Sequence, residues 1–561
     1  MKFWQKNKTK ILLWILILVL NFLLLRGALS RQCFFSTHDD TWIVRLHQFD
    51  KAIRLDQVPP CLCPDVAFGH GYPLFCFYAP LFTFVNWIFY KIVGSLSLAI
   101  LISLFFIGTA GAWGMYQLAV HLWRNKWAGI LSMVVYVFLP YRALDLFVRG
   151  AFSEYLALAI IPWLWYFLFK FFAKPKNKKA WLGFIIVTSL FILSHNLYLI
   201  MFLYFLPLFA VLFFKHQSKR FVAGNLFLAA ILALLLTTFF WLPLLVRIKD
   251  IVVLSQAQRT NFADHFVFLK QLWFSPWGFG GSAPGREDGM SFALGKINIL
   301  LFAIGLLGLF LKKEKVKEKF VILMVGLFSL FLSLSASAFL WRRLPFLSIV
   351  QFPWRFLGYF SLVMALGAGG VMIVLGEIIK RFKIKTVNLI LLFSFLALLL
   401  ALFFSQIELF QPQMVICDIE EYFLSLEKIR EGTFEDMAEY LPRWVKKKPQ
   451  LYSDKAFVNQ EEKDIEVILN SPFQINFRVN EINDDQEENL IANRFYFPGW
   501  KLNDEENNKI SIAPHIGDGK ISFMIDEPGL YRLIFTRLPT EKWAFIFSGL
   551  ALIILFIVAI F

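Results

Sequence analysis

The stretch ILLWILILVLNFLLLRGALSRQCFFSTHDD, residues 11–40, joins a long apolar run to a polar segment that ends in two aspartates. The apolar part, residues 11–25, approaches the ~20 residues that a helix needs to cross a bilayer. Lysines precede this run and no small-residue cleavage site stands out after it, so we interpret it as an uncleaved first span. The polar segment then lies on the side of the membrane opposite the N-terminus.

The rest of the 561-residue chain repeats this pattern. It is 58% hydrophobic and only 17% charged, which excludes a soluble globular domain and a disordered tail. Recurring apolar runs predict a polytopic α-helical membrane protein with about twelve spans. The runs cover residues 11–25, 97–120, 127–141, 154–173, 180–197, 198–215, 221–246, 297–311, 320–338, 356–379, 387–405 and 543–561.

Basic clusters between the runs predict the topology. The net charge of +16 could indicate nucleic-acid binding, but the cations lie in short clusters beside apolar runs, so we expect no nucleic-acid partner. If residues 79–94 form a helix along the membrane interface, every cluster faces the cytoplasm and both termini are cytoplasmic. These clusters are residues 121–126, 174–179, 215–220, 312–319 and 380–385.

Residues 406–541 differ in composition from the rest of the chain. They hold 26 of the 40 acidic residues against 15 Lys and Arg. Residues 417–440 predict helix, and later segments alternate apolar with polar residues, which predicts strands. Aromatic residues 495–497 and Trp500 could recognise an acceptor, but core packing is the preferred interpretation. The predicted strands are residues 464–470, 473–480, 509–513, 520–526 and 530–536.

These patterns predict three parts. Residues 1–405 form a transmembrane module whose outer loop, residues 30–96, carries juxtamembrane helices. Residues 406–541 form an extracytoplasmic α+β domain, mainly an antiparallel β-sandwich, and residues 542–561 form the last span. The cysteines all fall in outer segments, where disulfides among the first four are permitted; free apolar cysteines are the alternative. These cysteines are Cys33, Cys61, Cys63, Cys76 and Cys417.

The first candidate site residues follow the first span. Asp39 and Asp40 are candidate catalytic residues, because a carboxylate near the lipid interface suits general-base chemistry. His38 and Arg45 are candidate substrate ligands beside them. The alternative is a solvated acidic turn or a cap for the helix that follows.

Three later segments supply the remaining candidates. Arg149 could hold a phosphate, whereas Glu154 could belong to the site or support a helix cap with Ser153. His195 could bind substrate or be an interfacial histidine. Gln351 and Arg355 could add a second phosphate contact, with an aromatic-belt anchor as the alternative. The topology places these segments on one face of the membrane.

The residues also resemble a known family. The stretch THDDTWIVRLHQFDKAI…PPCLCPDVAFGHGYPLFCFYAPL, residues 37–81, resembles the first outer loop of the GT-C superfamily of membrane glycosyltransferases. With DLFVRGAFSE, LSHN, QFPWRFLGY, EYLPRW and FYFPGWK, the chain is similar to the bacterial 6-pyruvoyl-tetrahydropterin synthase-related membrane proteins and to YfhO-like proteins. Pterin chemistry is not expected, because the sequence lacks a zinc-binding histidine cluster.

The resemblance implies a glycosyltransferase of the bacterial cytoplasmic membrane that acts on the outer face. It implies a polyprenyl-phosphate sugar donor, a glycan, lipid or protein acceptor, contact with membrane lipids, and Asp39 or Asp40 as the base. A divalent metal, Mg²⁺ or Mn²⁺, stays open because some GT-C enzymes use one. The alternatives are a flippase or exporter of lipid-linked saccharide, and a non-catalytic protein of cell-envelope assembly.

Overall fold

The computed structural model describes residues 2–28, 33–214, 219–253, 261–382, 386–432, 438–447, 452–458, 465–480 and 488–560. The chain divides into two compact units. The first unit comprises residues 1–40, 84–234 and 260–417, and the second comprises residues 41–83, 235–259 and 418–561. The predicted boundaries at 405/406 and 541/542 stay a prediction.

The described chain is mainly helical. The α-helices are α1 (Lys2–Leu25), α2 (Trp42–Arg54), α3 (Leu74–Phe77), α4 (Leu81–Val93), α5 (Leu96–Trp123), α6 (Lys126–Val137), α7 (Pro140–Ala143), α8 (Phe152–Ala173), α9 (Lys178–Ile192), α10 (Asn196–Leu203), α11 (Leu206–Phe214), α12 (Lys219–Leu236), α13 (Thr238–Arg247), α14 (Leu269–Trp273), α15 (Lys296–Leu311), α16 (Val316–Ser333), α17 (Ala338–Arg343), α18 (Leu357–Ala368), α19 (Gly370–Arg381), α20 (Val387–Gln406), α21 (Ile419–Leu424) and α22 (Pro539–Ile560). Short 3₁₀ segments and two π-helical turns, Leu144–Val148 and Lys428–Gly432, lie between them.

Seven described helical segments are long and apolar enough to cross a membrane, or eight if residues 220–236 and 238–250 form one bent span. The polytopic helical character is therefore confirmed, whereas the count of about twelve stays a prediction. The predicted spans at 180–197, 198–215, 297–311 and 320–338 correspond to shorter or more charged helices. The seven segments are Lys10–Ala28, Leu96–Trp123, Lys126–Val148, Phe152–Ala173, Pro353–Arg381, Val387–Leu409 and Pro539–Ile560.

Asparagine caps begin two helices of the first unit. Asn125 and Asn177 each accept a hydrogen bond from a backbone amide of the first helical turn, at 3.0 and 3.1 Å. Such caps satisfy donors that a helix start otherwise leaves unpaired. The helices α6 and α8 both pack against α5, and α15 packs against α18 and α19. This packing buries most of α6, whose residues form part of the core.

A small ladder and a disulfide join distant parts of the first unit. Strand β1 (Phe34–Phe35) pairs antiparallel with β2 (Val415–Ile416). Directly beside this ladder, Cys33 and Cys417 form a disulfide across 384 residues of sequence. The expectation of disulfides among the first four cysteines is therefore wrong for Cys33, because its partner comes from a segment far along the chain.

The second unit contains two antiparallel sheets. One sheet has the strand order β3-β4-β10-β6-β7 and the other has the order β5-β9-β8. Rings from both sheets meet in one core, with the centroids of Phe477 and Phe523 5.9 Å apart. The strands are β3 (Ile465–Ser471), β4 (Gln474–Val479), β5 (Glu488–Phe495), β6 (Trp500–Asn503), β7 (Lys509–Ile510), β8 (Ala513–Pro514), β9 (Lys520–Ile525) and β10 (Gly529–Phe535).

The sheets agree with the predicted strands in part. Strands β5 and β6 were not predicted, because their polar and aromatic residues do not alternate cleanly. The predicted helix at 417–440 is interrupted at Ser425: the described residues form α21, helical residues 426–427 that continue into a π turn at Lys428–Gly432, and a 3₁₀ turn at Ala438–Tyr440. Residues 433–437 of this prediction lie outside the described residues. Phe495, Phe497 and Trp500 are buried, so the core interpretation is confirmed for them.

Two further contacts stabilise the second unit. Cys61 and Cys76 form a disulfide, and Cys63 is a free, buried thiol. Burial raises the pKa of the Cys63 thiol, which disfavours the reactive thiolate.

Arg247 of α13 donates to Glu541 of α22 at 2.7 Å, and both side chains are buried. This ion pair connects the C-terminal helix to α13.

Candidate functional site

Glu154 lies at the centre of a buried polar cluster in the first unit. It is in the first turn of α8, where the positive end of the helix favours a carboxylate. Its Oε1 accepts hydrogen bonds from the hydroxyls of Tyr141, at 2.5 Å, and Tyr198, at 2.9 Å. Its Oε2 accepts from Arg149 at 2.8 Å. The cap interpretation is wrong, because Ala151 occupies the N-cap position and Ser153 makes no cap bond.

Arg149 connects Glu154 to a second buried carboxylate. Its Nη1 donates to Oδ1 of Asp145 at 2.5 Å, and its guanidinium lies 4.5 Å from the ring centroid of Trp354. Asp145 belongs to the π-helical turn Leu144–Val148, which directly precedes Arg149. Single π-helical turns often occur at functional sites. Arg149 therefore holds two carboxylates that would otherwise repel each other in a buried environment.

Arg355 is the second cation of the cluster. Its guanidinium interacts electrostatically with Glu154 and Arg149. Its Nη1 donates to the carbonyl of Val350 at 3.0 Å, while its buried Nε has no hydrogen-bond partner among the described residues. Its backbone carbonyl lies 3.2 Å from the Tyr198 hydroxyl. Formal charges of Asp145, Glu154, Arg149 and Arg355 balance, so an incoming anion would meet a cluster with no net charge.

His195 borders the cluster, and Gln351 belongs to the turn that precedes Arg355. The Nδ1 of His195 accepts from the backbone amide of Tyr198 at 3.2 Å and so caps α10, while the ring interacts electrostatically with Glu154. Gln351 has a φ of +65°, a conformation that is uncommon for a residue with a side chain. Such backbone strain is found preferentially at functional sites. Gln351 lies four residues before Arg355, in the turn that positions this arginine.

The first outer loop contacts the same region through its backbone. The amide of His38 donates to the carbonyl of Val148 at 2.9 Å, and the amide of Asp39 donates to the carbonyl of Arg149 at 3.0 Å. Gly150 has a φ of +65°, and a Cβ there would lie 2.2 Å from Oγ1 of Thr37. Only glycine therefore permits this close approach without strain. The acidic segment and the arginine segment thus form one local structure.

The other predicted residues have different surroundings. His38 is exposed, and its Nε2 lies 2.9 Å from the carbonyl oxygen of Phe279. Asp40 is half-buried next to Asp39. Arg45 belongs to the second unit, where its guanidinium lies 4.6 Å from the Trp42 ring centroid and 4.5 Å from that of Tyr78. Its role in substrate binding stays a prediction.

Sequence reasoning missed four members of the cluster. Asp145 precedes Arg149 by one helical turn, a spacing that suits an ion pair and could have identified it. Tyr141 and Tyr198 carried no such signal, because only the folded chain brings both hydroxyls to one carboxylate. Trp354 lies within the motif QFPWRFLGY, but the contact between its ring and the Arg149 guanidinium depends on the tertiary structure.

The cluster does not provide the ligand set of a divalent metal. Mg²⁺ and Mn²⁺ prefer several oxygen ligands, chiefly carboxylates. Here the two carboxylates, Asp145 and Glu154, are engaged by Arg149. Across the described part of the chain, no group of three or more His, Cys, Asp and Glu residues is arranged to hold a metal. We therefore derive no step through a metal ion.

A family profile described as the 6-pyruvoyl-tetrahydropterin synthase related domain, a membrane protein, matches residues 75–408. The match covers more than half of the chain, so the chain belongs to this family of membrane proteins, as the motifs predicted. No curated protein matches the chain in sequence.

Three solved structures resemble the chain at low sequence identity. The arabinofuranosyltransferase AftD from Mycobacteria has 16% identity and a TM-score of 0.47, with 74% of this chain and 28% of AftD covered. The oligosaccharyltransferase AglB from Archaeoglobus fulgidus, solved with an inhibitory peptide and a dolichol-phosphate, has 13% identity and a TM-score of 0.44, with 81% and 62% covered. ArnT from Cupriavidus metallidurans, bound to undecaprenyl phosphate, has 11% identity and a TM-score of 0.31, with 68% and 81% covered. The chain thus spans less than two thirds of AftD and of AglB.

Proposed function

We propose that the chain is a glycosyltransferase that moves a sugar from a polyprenyl-phosphate donor to a glycan, lipid or protein acceptor. The observation that carries the proposal is the backbone contact between residues 37–39 and residues 148–150. This contact unites the acidic segment that follows the first apolar helix with the buried cluster of Glu154, Arg149 and Arg355. A carboxylate that can act as a base, close to a cation that can hold the leaving phosphate, is what sugar transfer from a phosphate donor needs.

In the proposed reaction, the acceptor hydroxyl oxygen attacks the anomeric carbon of the donor sugar. Asp39 takes the hydroxyl proton as the new carbon–oxygen bond forms. The bond between the anomeric carbon and the phosphate oxygen breaks, and its electron pair leaves with the polyprenyl phosphate. No general acid is needed, because the phosphate is a stable anion. Asp40 is the second candidate for the base.

Arg355 is the better candidate for the phosphate contact. Its buried Nε has no hydrogen-bond partner among the described residues, so a phosphate oxygen could fill that position. Arg149 already makes short bonds to two carboxylates, and these bonds neutralise its charge. We therefore assign Arg149 chiefly to positioning Glu154 and Asp145, with direct phosphate contact as its secondary role.

The disulfides support an outer-face location. Structural disulfides persist in oxidising compartments and are rare in the cytosol. Cys33 and Cys417 flank the β1–β2 ladder, and Cys33 lies six residues before Asp39. We propose that this site faces the outside of the bacterial cytoplasmic membrane, with about twelve spans and both termini in the cytoplasm.

The test uses the full-length protein in liposomes that contain a set of polyprenyl-phosphate sugars. Candidate acceptors are supplied with the liposomes, and acceptor-dependent release of free polyprenyl phosphate reports transfer whatever the sugar is. We expect Asp39→Asn to abolish release while donor binding persists, and Asp56→Asn, an exposed position of the same outer loop, to have no effect. Donor binding or translocation without release by the unmodified protein would favour the exporter alternative. Undiminished release by Asp39→Asn would eliminate Asp39 as the base.

A further inference from the structure

Basic segments from three helix connections meet at one place in the first unit. Together they hold 12 Lys and Arg against two Glu. Arg124, Lys170 and Lys315, one from each segment, all interact electrostatically with His121 in the last turn of α5. The fold therefore gathers cations that are far apart in the sequence. The segments are residues 121–126 at the α5–α6 connection, residues 170–179 at the α8–α9 connection and residues 312–319 at the α15–α16 connection.

Lys319 fixes the α15–α16 connection against the end of α5. Its Nζ donates to the carbonyl of Lys312 at 2.6 Å, and its ammonium lies 4.6 Å from the ring centroid of Trp123. The side chain is buried, and a buried ammonium is stable only with such partners. The Nζ of Lys312 in turn lies 3.5 Å from the carbonyl oxygen of Arg124. The two connections are thus joined at Lys312 and Arg124.

Lys170 comes to the same place from the last turn of α8. Its ammonium lies 4.8 Å from the ring centroid of Tyr166. The ring centroids of Tyr166 and His121 are 6.0 Å apart, so an aromatic contact connects the end of α8 to the end of α5. We call Arg124, Lys170 and Lys312 the cation group.

The cation group has no carboxylate that neutralises it. Among the described residues, Arg124, Lys170 and Lys312 make no ion pair. Lys315 differs, because it pairs with Glu318 at 2.6 Å. Arg124 is exposed, while Lys170 and Lys312 are half-buried. Like charges held together repel each other until a counter-charge binds, so the cation group favours an anionic ligand.

The cation group lies at the opposite end of α8 from Glu154. Glu154 is in the first turn of this helix and Lys170 is in the last. At ~1.5 Å per residue, the two positions are separated by about 24 Å along the helix axis. The hydrocarbon core of a bilayer is about 30 Å thick, and α8 is long and apolar enough to cross it. The cation group therefore lies near the membrane surface opposite the cluster around Glu154.

Exposed apolar side chains lie directly beside the cation group. Leu311 precedes Lys312 in the chain, and Phe310 is 79% exposed at the end of the same helix. Val316 and Phe320, in the first turns of α16, are exposed as well. A ligand with an anionic head and apolar chains matches both parts of this surface. An inorganic anion or an acidic peptide would leave the apolar part uncovered.

We propose that this surface binds an anionic phospholipid in the leaflet opposite the cluster around Glu154. The phosphate would accept hydrogen bonds from the guanidinium of Arg124 and from the ammonium groups of Lys170 and Lys312. The acyl chains would lie along Phe310 and Leu311. This contact is specific to the charge of the headgroup, unlike the general contact of apolar helices with lipid. It does not depend on the proposed transferase activity.

The test uses the full-length protein in nanodiscs that contain a small fraction of photoactivatable lipid. Phosphatidylglycerol and phosphatidylcholine are compared, with the same photoreactive acyl chain in each. Labelled peptides are identified by mass spectrometry. We expect phosphatidylglycerol to label residues 307–320 about tenfold more than phosphatidylcholine does, because each cation near a headgroup contributes to binding. The excess should decrease as the salt concentration rises.

A double variant locates the site. Arg124→Gln together with Lys312→Gln should lower the excess labelling about tenfold. The Lys312 carbonyl that binds Lys319 is unchanged, so the α15–α16 connection keeps its position. Arg124→Lys retains the charge and should retain the excess. The matched control is Arg343→Gln, an exposed arginine that follows the other end of α16, which should leave the excess unchanged.

Two results would overturn the proposal. One is equal labelling of residues 307–320 by the two lipids, and the other is the same excess in the double variant as in the unmodified protein. Labelling is measured without donor or acceptor, so a protein that transfers no sugar would still show the excess. Failure of this proposal and failure of the proposed function are therefore distinguishable.

Discussion

The backbone amide of Asp39 donates a hydrogen bond to the backbone carbonyl of Arg149, over 3.0 Å. The proposed base is thus positioned by the main chain of the segment that carries the cluster. A change in the Asp39 side chain leaves this bond in place. A change in the backbone of residues 148–150 should instead displace the Asp39 carboxylate. These two kinds of substitution can therefore separate chemistry from geometry.

Gly150→Ala should move the acidic segment. The added Cβ would lie 2.2 Å from Oγ1 of Thr37, and alanine is strained at the φ of +65°. We expect sugar transfer to fall at least tenfold. Gly94→Ala is the matched control, because Gly94 has a φ of +70° and no atom within 4 Å of the added Cβ. Equal activity of the two variants would mean that the contact with Thr37 does not position the base.

Glu154→Gln should destabilise the first unit through its charge rather than its volume. The amide still reaches the tyrosine hydroxyls, but Arg149 loses one of its two carboxylates. We expect a loss of roughly 3 kcal/mol in unfolding free energy, measured by denaturation in detergent micelles. Glu377→Gln, in an exposed pair with Lys380, should change stability by less than about 0.5 kcal/mol.

A double variant provides a sharper test of the same cluster. The double variant Arg149→Met, Glu154→Gln should lose less unfolding free energy than the sum of the two single variants, by about 1 kcal/mol or more. Each single variant already removes the interaction between the two charges, so the second change cannot remove it again. Strict additivity in the denaturation experiment would show that the bond between Arg149 and Glu154 contributes no coupling energy.

Arg355→Gln should weaken donor binding. We expect the KM for the polyprenyl-phosphate sugar to rise about tenfold or more, because a charged hydrogen bond to the phosphate is lost. The control is Arg343→Gln, an exposed arginine at the end of α17, which should leave KM unchanged. A loss of kcat at constant KM would instead assign Arg355 to stabilisation of the transition state alone.

Thiol counting tests the outer-face location. Denatured, unreduced protein should bind one alkylating group, at Cys63, and reduced protein should bind five, as measured by mass spectrometry. Native protein should label slowly, because Cys63 is buried and burial raises the pKa of its thiol. Cys63→Ser should eliminate labelling of the unreduced protein. Labelling of all five cysteines in freshly prepared, unreduced protein would contradict an oxidising location.

The sequence predicted the features that depend on local composition. Apolar runs identified the long helices, and alternation identified β4, β9 and β10, because both patterns repeat at the period of their element. The candidate residues of the four motifs were also recognised locally. Of these, the structure brings Arg149, Glu154, His195 and Arg355 together, with the backbone of residues 38 and 39 beside them.

Features that depend on distant segments could not be predicted. The pairing of Cys33 with Cys417 and the convergence of Tyr141 and Tyr198 on Glu154 connect residues that no local pattern relates. Strand β6 was missed because the aromatic residues around it indicated a core without indicating a strand.

A single-turnover experiment tests the central claim most directly. Protein in excess is mixed with a polyprenyl-phosphate sugar and an acceptor, and donor binding and polyprenyl phosphate release are followed separately in the unmodified protein and in Asp39→Asn. We predict equal donor affinity for both, with release slowed about a hundredfold or more in the variant, since a base contributes about 10²–10⁴ in rate. Equal release rates would contradict the assignment of Asp39 as the base that activates the acceptor.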